Sequence, residues 1–116
     1  MLESFNVRKC PSHGWMAETR IHLDDSRVLD IDVSKGPWGG LRVSARGARL
    51  VDGVRRSIFG GAGSDYRHYA PIQDSPSRVT RKAVESAFQT HALPMVGSLT
   101  AAARAHYAAM TESGRC

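Results

Sequence analysis

Arginine is the residue type in this sequence whose number and spacing point most directly to a chemistry. The chain of 116 residues holds 16 Lys and Arg against 11 Asp and Glu, and 13 of the 16 are Arg. Residues 41–82 contain nine basic and three acidic residues, whereas the segments on either side are close to neutral. Guanidinium groups bind phosphate oxygens in pairs and stack on bases. We therefore expect a polyanionic partner, with surface arginines that serve only solubility as the alternative.

Two groups of basic residues in this segment are candidates for phosphate contacts. One group lies on a predicted strand and the stretch after it, and the other at the start of a predicted helix, beside unpaired backbone N–H groups. The eight candidates are Arg42, Arg46, Arg49, Arg55, Arg56, Arg78, Arg81 and Lys82.

The other reactive residue types show no spacing that predicts a catalytic or metal site. The five histidines form no H-E-x-x-H pattern, and Cys10 and Cys116 are too few for a disulfide framework or a four-ligand zinc site. The glycines at 60–63 lack the Lys-Ser/Thr pair of a nucleotide-binding loop, and no nucleophile elbow is present. We expect no enzymatic activity, no metal and no cofactor.

Alternating apolar and polar residues predict the strands that position these side chains. The alternation covers residues 15–23, 28–33 and 41–46, which gives a hairpin followed by a third strand with a basic exposed face. Short edge strands are predicted around residues 5–8 and 66–72.

Residues 47–65 are predicted to form a long irregular loop, with a turn at Asp52-Gly53 and mobile glycines. A loop of this length is uncommon in a small domain unless it is functional, so we expect a basic binding arm. Its apolar pair, Ile58 and Phe59, is expected to pack on the domain or to contact a partner.

Two helices are predicted after the sheet. Ser75 and Ser77 can cap a helix over about residues 78–92, which Leu93-Pro94 should end, and Ser98 can cap a second helix over residues 99–112. The predicted fold is α+β, with a small antiparallel sheet, one packed amphipathic helix and a second C-terminal helix.

The length predicts a single domain over residues 1–116. We divide it into an N-terminal edge strand and turn (1–14), a core (15–92) with a basic loop (47–65), and a C-terminal helical extension (93–116). No apolar run reaches the roughly 18 residues that span a membrane, and the N-terminus lacks a signal-peptide core. We expect a cytoplasmic protein without membrane contact.

The order of these features resembles the SpoVG (stage V sporulation protein G) family of small bacterial nucleic-acid-binding regulators, over roughly residues 15–88. The resemblance lies in IHLD at 21–24, VLDIDV at 28–33, GLRVSA at 40–45, DG at 52–53, API at 70–72 and SRVTRKAV at 77–84. It implies an α+β dimer joined through sheet edges, which binds DNA or RNA through Arg78, Arg81 and Lys82. Residues 54–64 and the Ala-rich tail after Leu93 depart from the family pattern.

Two functions from different classes are therefore expected. The first is a regulatory protein that binds DNA or RNA as a homodimer, through the Arg-rich loop and the basic helix start. The alternative is a protein-interaction factor, such as a phage or mobile-element inhibitor of a host nucleic-acid machine, whose cations meet an acidic protein surface.

Overall fold

The fold is α+β, as predicted, in a computed structural model that describes residues 5–12, 14–37, 39–57, 64–73, 75–76 and 78–113. The strands found in these residues form one antiparallel sheet: β1 (Asn6–Cys10), β2 (Gly14–His22), β3 (Arg27–Lys35), β4 (Leu41–Val51), β5 (Val54–Arg56) and β6 (Arg67–Pro71). The first four strands pair in sequence order. The outer edge of β4 pairs with β6 along residues 42–46 and with β5 along residues 49–51.

Residues 47–51 and 54–56 are strands, so the prediction of an irregular loop from residue 47 is wrong. β4 continues to Val51 because residues 47–49 remain paired with β3. Asp52 and Gly53, with φ angles of 53° and 77°, then form a tight turn that leads directly into β5. Two positive φ angles are typical of a two-residue hairpin turn, for which Asp-Gly is a preferred pair. Ile58, Phe59 and the glycines predicted to be mobile at residues 60–63 lie outside the described residues.

One continuous helical segment follows the sheet, in place of the two separate helices predicted. It consists of α1 (Arg81–Ala87), a π-helical turn (Phe88–Ala92), a 3-10 turn (Leu93–Met95) and α2 (Val96–Ser113). The junction residues keep right-handed helical backbone angles, so Leu93-Pro94 does not end the helix. Pro94 lies in the first turn of the 3-10 piece, where its missing N–H costs least. No helix in the described part of the chain is long and apolar enough to cross a membrane.

Thr80 caps the helical segment, whereas Ser75 and Ser77 were the predicted caps. The Thr80 hydroxyl accepts a hydrogen bond of 3.1 Å from the backbone N–H of Ala83. Ser75 accepts instead from the N–H of Leu41 at 3.0 Å, which fixes the start of β4, and Ser77 lies outside the described residues. Arg78 therefore precedes the helix rather than belonging to its first turn.

The helical segment covers one face of the sheet, and the two together form the hydrophobic core. The sheet contributes the apolar residues of the predicted alternation: Ala17, Leu29, Ile31, Val33, Leu41, Val43 and Ala45. The helical segment contributes Val84, Phe88, Ala92, Leu99, Ala103 and Tyr107. The opposite face, which we call the polar face, carries the alternate residues, including Glu18, Asp30, Asp32, Arg42, Ser44 and Arg46.

Gly47 allows α2 to approach β4 closely. A Cβ atom at this position would clash with the Tyr107 hydroxyl oxygen and would lie 3.1 Å from the ring carbon that bears it. The Gly47 N–H donates to the carbonyl of Tyr66 at 2.7 Å, so the strand cannot simply move away. Only a residue without a side chain fits between Tyr107 and the sheet.

We predict that Gly47→Ala lowers the free energy of unfolding by about 1–3 kcal/mol, because the added methyl group overpacks this contact. Gly97→Ala is the matched control: nothing lies within 4 Å of its Cβ position in α2. Since alanine favours a helix over glycine, that change should raise stability by about 0.5–1 kcal/mol. Urea unfolding of both variants checks this, and a Gly47→Ala variant as stable as the wild type would contradict the close packing.

Candidate functional site

The structure places the eight predicted binding residues in three separate locations. Arg42, Arg46 and Arg55 belong to the polar face. Arg49 and Arg56 lie on the helix-covered face, beside Tyr107 near the end of α2. Arg78, Arg81 and Lys82 are exposed around the start of α1. The eight residues are close in the sequence, but they do not form one site in the fold.

Arg27, Arg49 and Arg56 form a row across three neighbouring strands, which we call the arginine row. Arg27 on β3 is directly opposite Arg49 on β4, and Arg49 is directly opposite Arg56 on β5. Residues directly opposite each other project from the same face, and like charges in such pairs destabilise a sheet. None of the three forms a salt bridge with a carboxylate in the described part of the chain. A bound anion would relieve this repulsion.

The arginine row surrounds a small cavity of about 130 Å³. Its lining includes the three arginines, Val51, Asp65, Tyr107 and Met110. The Arg27 guanidinium carbon lies 4.3 Å from the centre of the Tyr107 ring, and the Tyr107 hydroxyl donates to Asp65. Burial and the hydrogen bond to Asp65 raise the pKa of Tyr107 to about 12. The Tyr107 hydroxyl therefore stays protonated and uncharged beside the arginines.

Two exposed valines continue this surface to the tip of the β4–β5 hairpin. Val51 and Val54 are cross-strand partners that are 44% and 52% exposed. They are the next pair after Arg49 and Arg56 on the same face of the sheet, with the Leu50–Arg55 pair of the other face in between. The hairpin therefore presents an apolar tip followed by a basic pair.

The basic group at the helix start lies at the other end of the sheet. The Arg81 guanidinium carbon is 6.0 Å from the centre of the Trp15 ring. Trp15 stands near the start of β2, whereas Arg27 begins the antiparallel strand β3. The nine residues of β3 are separated by eight steps of about 3.3 Å, so the two basic groups lie roughly 26 Å apart along the sheet.

Most of the charges on the polar face are paired with each other. Arg8 bonds to Glu18, and Asp30 accepts from Arg20 at 2.7 Å and from Arg55 at 2.9 Å. Arg55, one of the predicted phosphate ligands, is thus held by a carboxylate. The guanidinium carbon of Arg42 lies over the Tyr69 ring, 5.0 Å from its centre. No three His, Cys, Asp or Glu side chains of the described residues are grouped so that they could hold a metal ion.

Two carboxyl groups on adjacent positions of this face have opposite pKa shifts. Burial raises the pKa of Asp32 by more than the bond from Ser34 and the charges of Arg42 and Arg46 lower it. Burial also acts on Asp30, but the hydrogen bonds from Arg20 and Arg55 outweigh it and lower the pKa of Asp30.

Comparison with known protein families, with curated proteins and with solved structures found no match. The resemblance to the SpoVG family therefore stays a prediction. Arg27 is the residue of the arginine row that the sequence analysis missed. It lies in the part of the chain that is close to neutral, and only its register with Arg49 connects it to the row.

We predict stability effects of opposite sign for Asp32→Asn and Asp30→Asn. The raised pKa of Asp32 means that the folded state favours the neutral carboxyl. As the pH rises and Asp32 becomes charged, the folded state loses stability. Asp32→Asn removes this charge, so the variant should be more stable than the wild type at pH 7. A lowered pKa favours charged Asp30, so Asp30→Asn should lose on the order of 1 kcal/mol at pH 7. Both differences should shrink at pH 3. Urea unfolding at the two pH values checks this, and equal effects at pH 7 would contradict the assignment.

Proposed function

We propose that this protein is a cytoplasmic nucleic-acid-binding protein that contacts phosphates first through the arginine row. The observation that supports this most strongly is the row itself, in which Arg27, Arg49 and Arg56 lie side by side without a carboxylate salt bridge among the described residues. Such an arrangement costs stability in the free protein and gains it when an anion binds.

The dimensions of the row suit a nucleic-acid backbone. Three neighbouring strands span roughly 10 Å, since adjacent strands are about 4.8 Å apart. Over the same length, duplex DNA carries about six phosphate charges. Each guanidinium can bind phosphate oxygens in bidentate fashion, which a point charge such as Lys cannot do.

The β4–β5 hairpin adds a second kind of contact. A two-stranded β-ribbon fits the major groove, where apolar side chains contact thymine methyl groups. Val51 and Val54 at the tip are positioned for such contacts while Arg49 and Arg56 hold the backbone.

The basic group of Arg78, Arg81 and Lys82 is a second proposed phosphate contact, about 26 Å away along the sheet. Its three residues are exposed. Arg55 is expected to contribute less, because Asp30 already holds it.

Self-association through a sheet edge is part of the proposal. β1 is the outermost strand on its side, so one edge of its backbone is unpaired within the described sheet. Small proteins cover such edges or join them to a second copy.

We predict that the affinity for duplex DNA, single-stranded DNA or RNA falls steeply with salt, and that Arg49→Gln/Arg56→Gln reduces this dependence. Each lost phosphate contact should lower the slope of log affinity against log salt by about one unit, so the double variant should lose about two. Lys9→Gln/Lys35→Gln is the control, since it removes the same charge from exposed positions at the end of the sheet away from the arginine row. Fluorescence anisotropy at several salt concentrations measures the slopes.

Equal slopes for the two double variants would contradict the arginine row as the contact surface. No binding of any of the three nucleic acids at low salt and tens of micromolar protein would overturn the proposed function.

We also predict a dimer of about twice the 12.6 kDa chain mass in light scattering at high micromolar concentration. Pairing of two edges needs the backbone N–H groups of β1. Val7→Pro, which cannot continue a ladder, should shift the dimer toward monomer. A wild-type protein that is monomeric at every concentration would contradict self-association.

A further inference from the structure

Tyr69 on β6 is an exposed aromatic residue. It is 44% exposed, whereas the other Phe, Tyr and Trp residues in the described part of the chain are buried or half-buried. Those other rings lie in the hydrophobic core or pack against it. Tyr69 is therefore the aromatic ring of the described residues that is placed to contact a ligand from solvent.

The pairing of β6 with β4 puts Tyr69 on the polar face. Tyr69 is directly opposite Ser44, a polar-face residue, and successive strand residues alternate between the two faces. Arg67, two residues earlier on β6, therefore projects from the same face as Tyr69. No strand of the described sheet pairs with the other edge of β6, so Tyr69 lies on an outermost strand.

Arg42 positions the Tyr69 ring. Its guanidinium carbon lies over the ring, and its Nη2 atom donates to the Ser34 hydroxyl at 3.4 Å, which holds the guanidinium in place. A tyrosine side chain has two rotatable χ angles, and a ring that is already held loses little entropy when a flat ligand stacks on it. The ring and the guanidinium together form a rigid platform, which we call the Tyr69 platform.

The surroundings of the Tyr69 platform are basic. Arg42 and Arg46 lie on the neighbouring strand, and Arg67 is exposed about 6.6 Å from Tyr69 along β6. Neither β6 nor the segment of β4 that pairs with it contains an acidic residue. This charge favours an aromatic ligand that carries anionic groups beside it.

A nucleobase within a nucleic-acid strand is such a ligand, since phosphates flank it on both sides. Proteins bind single strands by stacking bases on aromatic side chains while basic side chains contact the backbone. A base inside a duplex is covered on both faces by its neighbours in the stack, whereas an unpaired base can stack on a side chain. The Tyr69 platform therefore suits a single strand.

We propose that the Tyr69 platform binds one unpaired base of a single-stranded nucleic acid, with Arg67 beside an adjacent phosphate. This inference rests on the proposed function and adds a second contact surface to it. The arginine row projects from the opposite face of the sheet, so the two surfaces do not compete for the same ligand atoms.

Affinities for oligo-dT and for a duplex of the same length test this in the wild type and two variants. Tyr69→Leu keeps an apolar side chain but removes the ring, so oligo-dT should bind about 5- to 150-fold more weakly. Tyr69→Phe is the matched control, since it keeps the ring and should bind oligo-dT within about twofold of the wild type. Duplex affinity should be the same for all three proteins.

NMR of the tyrosine rings observes the stack itself in the wild-type chain. We expect the Tyr69 ring protons to move upfield saturably as oligo-dT is added, because a stacked base shields them. The Tyr66 ring is the internal control, since it packs against the core and against His106 and should not move.

Each of four results would overturn this inference. They are Tyr69→Leu binding oligo-dT as tightly as the wild type, Tyr69→Phe binding it as weakly as Tyr69→Leu, an equal loss of duplex affinity in Tyr69→Leu, and Tyr69 signals that saturating oligo-dT does not move. If the wild type still binds duplex with a steep salt dependence, the proposed function survives any of them. Failure of the wild type to bind either nucleic acid would overturn both.

Discussion

The pairing of β4 with β3 is the interaction on which the rest of the structure depends. Over nine consecutive residue pairs, this ladder decides which side chains face the helical segment and which form the polar face. A shift of one residue would move Leu41, Val43 and Ala45 out of the core and bury Arg42, Ser44 and Arg46 in their place. The cost of burying those charges makes the register strongly preferred. The same register aligns Arg27 with Arg49 and sets Asp32 diagonally opposite Arg46.

The outer edge of β4 supports side chains of both the polar face and the arginine row. The short strand β5 extends the sheet there, and its adjacent residues Arg55 and Arg56 project to opposite faces. Arg55 reaches the carboxylate of Asp30 on the polar face, while Arg56 joins the arginine row on the other. Two consecutive arginines that look equivalent in the sequence thus have different electrostatic surroundings, one paired with a carboxylate and one beside a second arginine.

The sequence predicted the sheet well because a two-residue period is a local signal that burial of one face then enforces. The alternation over residues 28–33 puts Leu29, Ile31 and Val33 on one face of the strand, and in the structure all three lie in the core. The predicted loop at residue 47 was wrong because Gly47, Ala48 and Arg49 show little apolar alternation, and their strand conformation comes from pairing with β3. The helix break at Pro94 was also wrong, since a single 3-10 turn accommodates the proline. The candidate site was only partly predictable: residue type indicated arginine chemistry, but cross-strand register decided which arginines are neighbours.

The close contact between Gly47 and Tyr107 ties together positions that are far apart in the chain. Tyr107 fits over the sheet only because residue 47 has no side chain, and its ring in turn supports the guanidinium of Arg27. In related proteins a larger residue at position 47 would exclude an aromatic ring at position 107, and Arg27 would then lose the surface on which it rests. Positions 27, 47 and 107 should therefore change together during evolution, so that an alignment of relatives would show them as one covarying group.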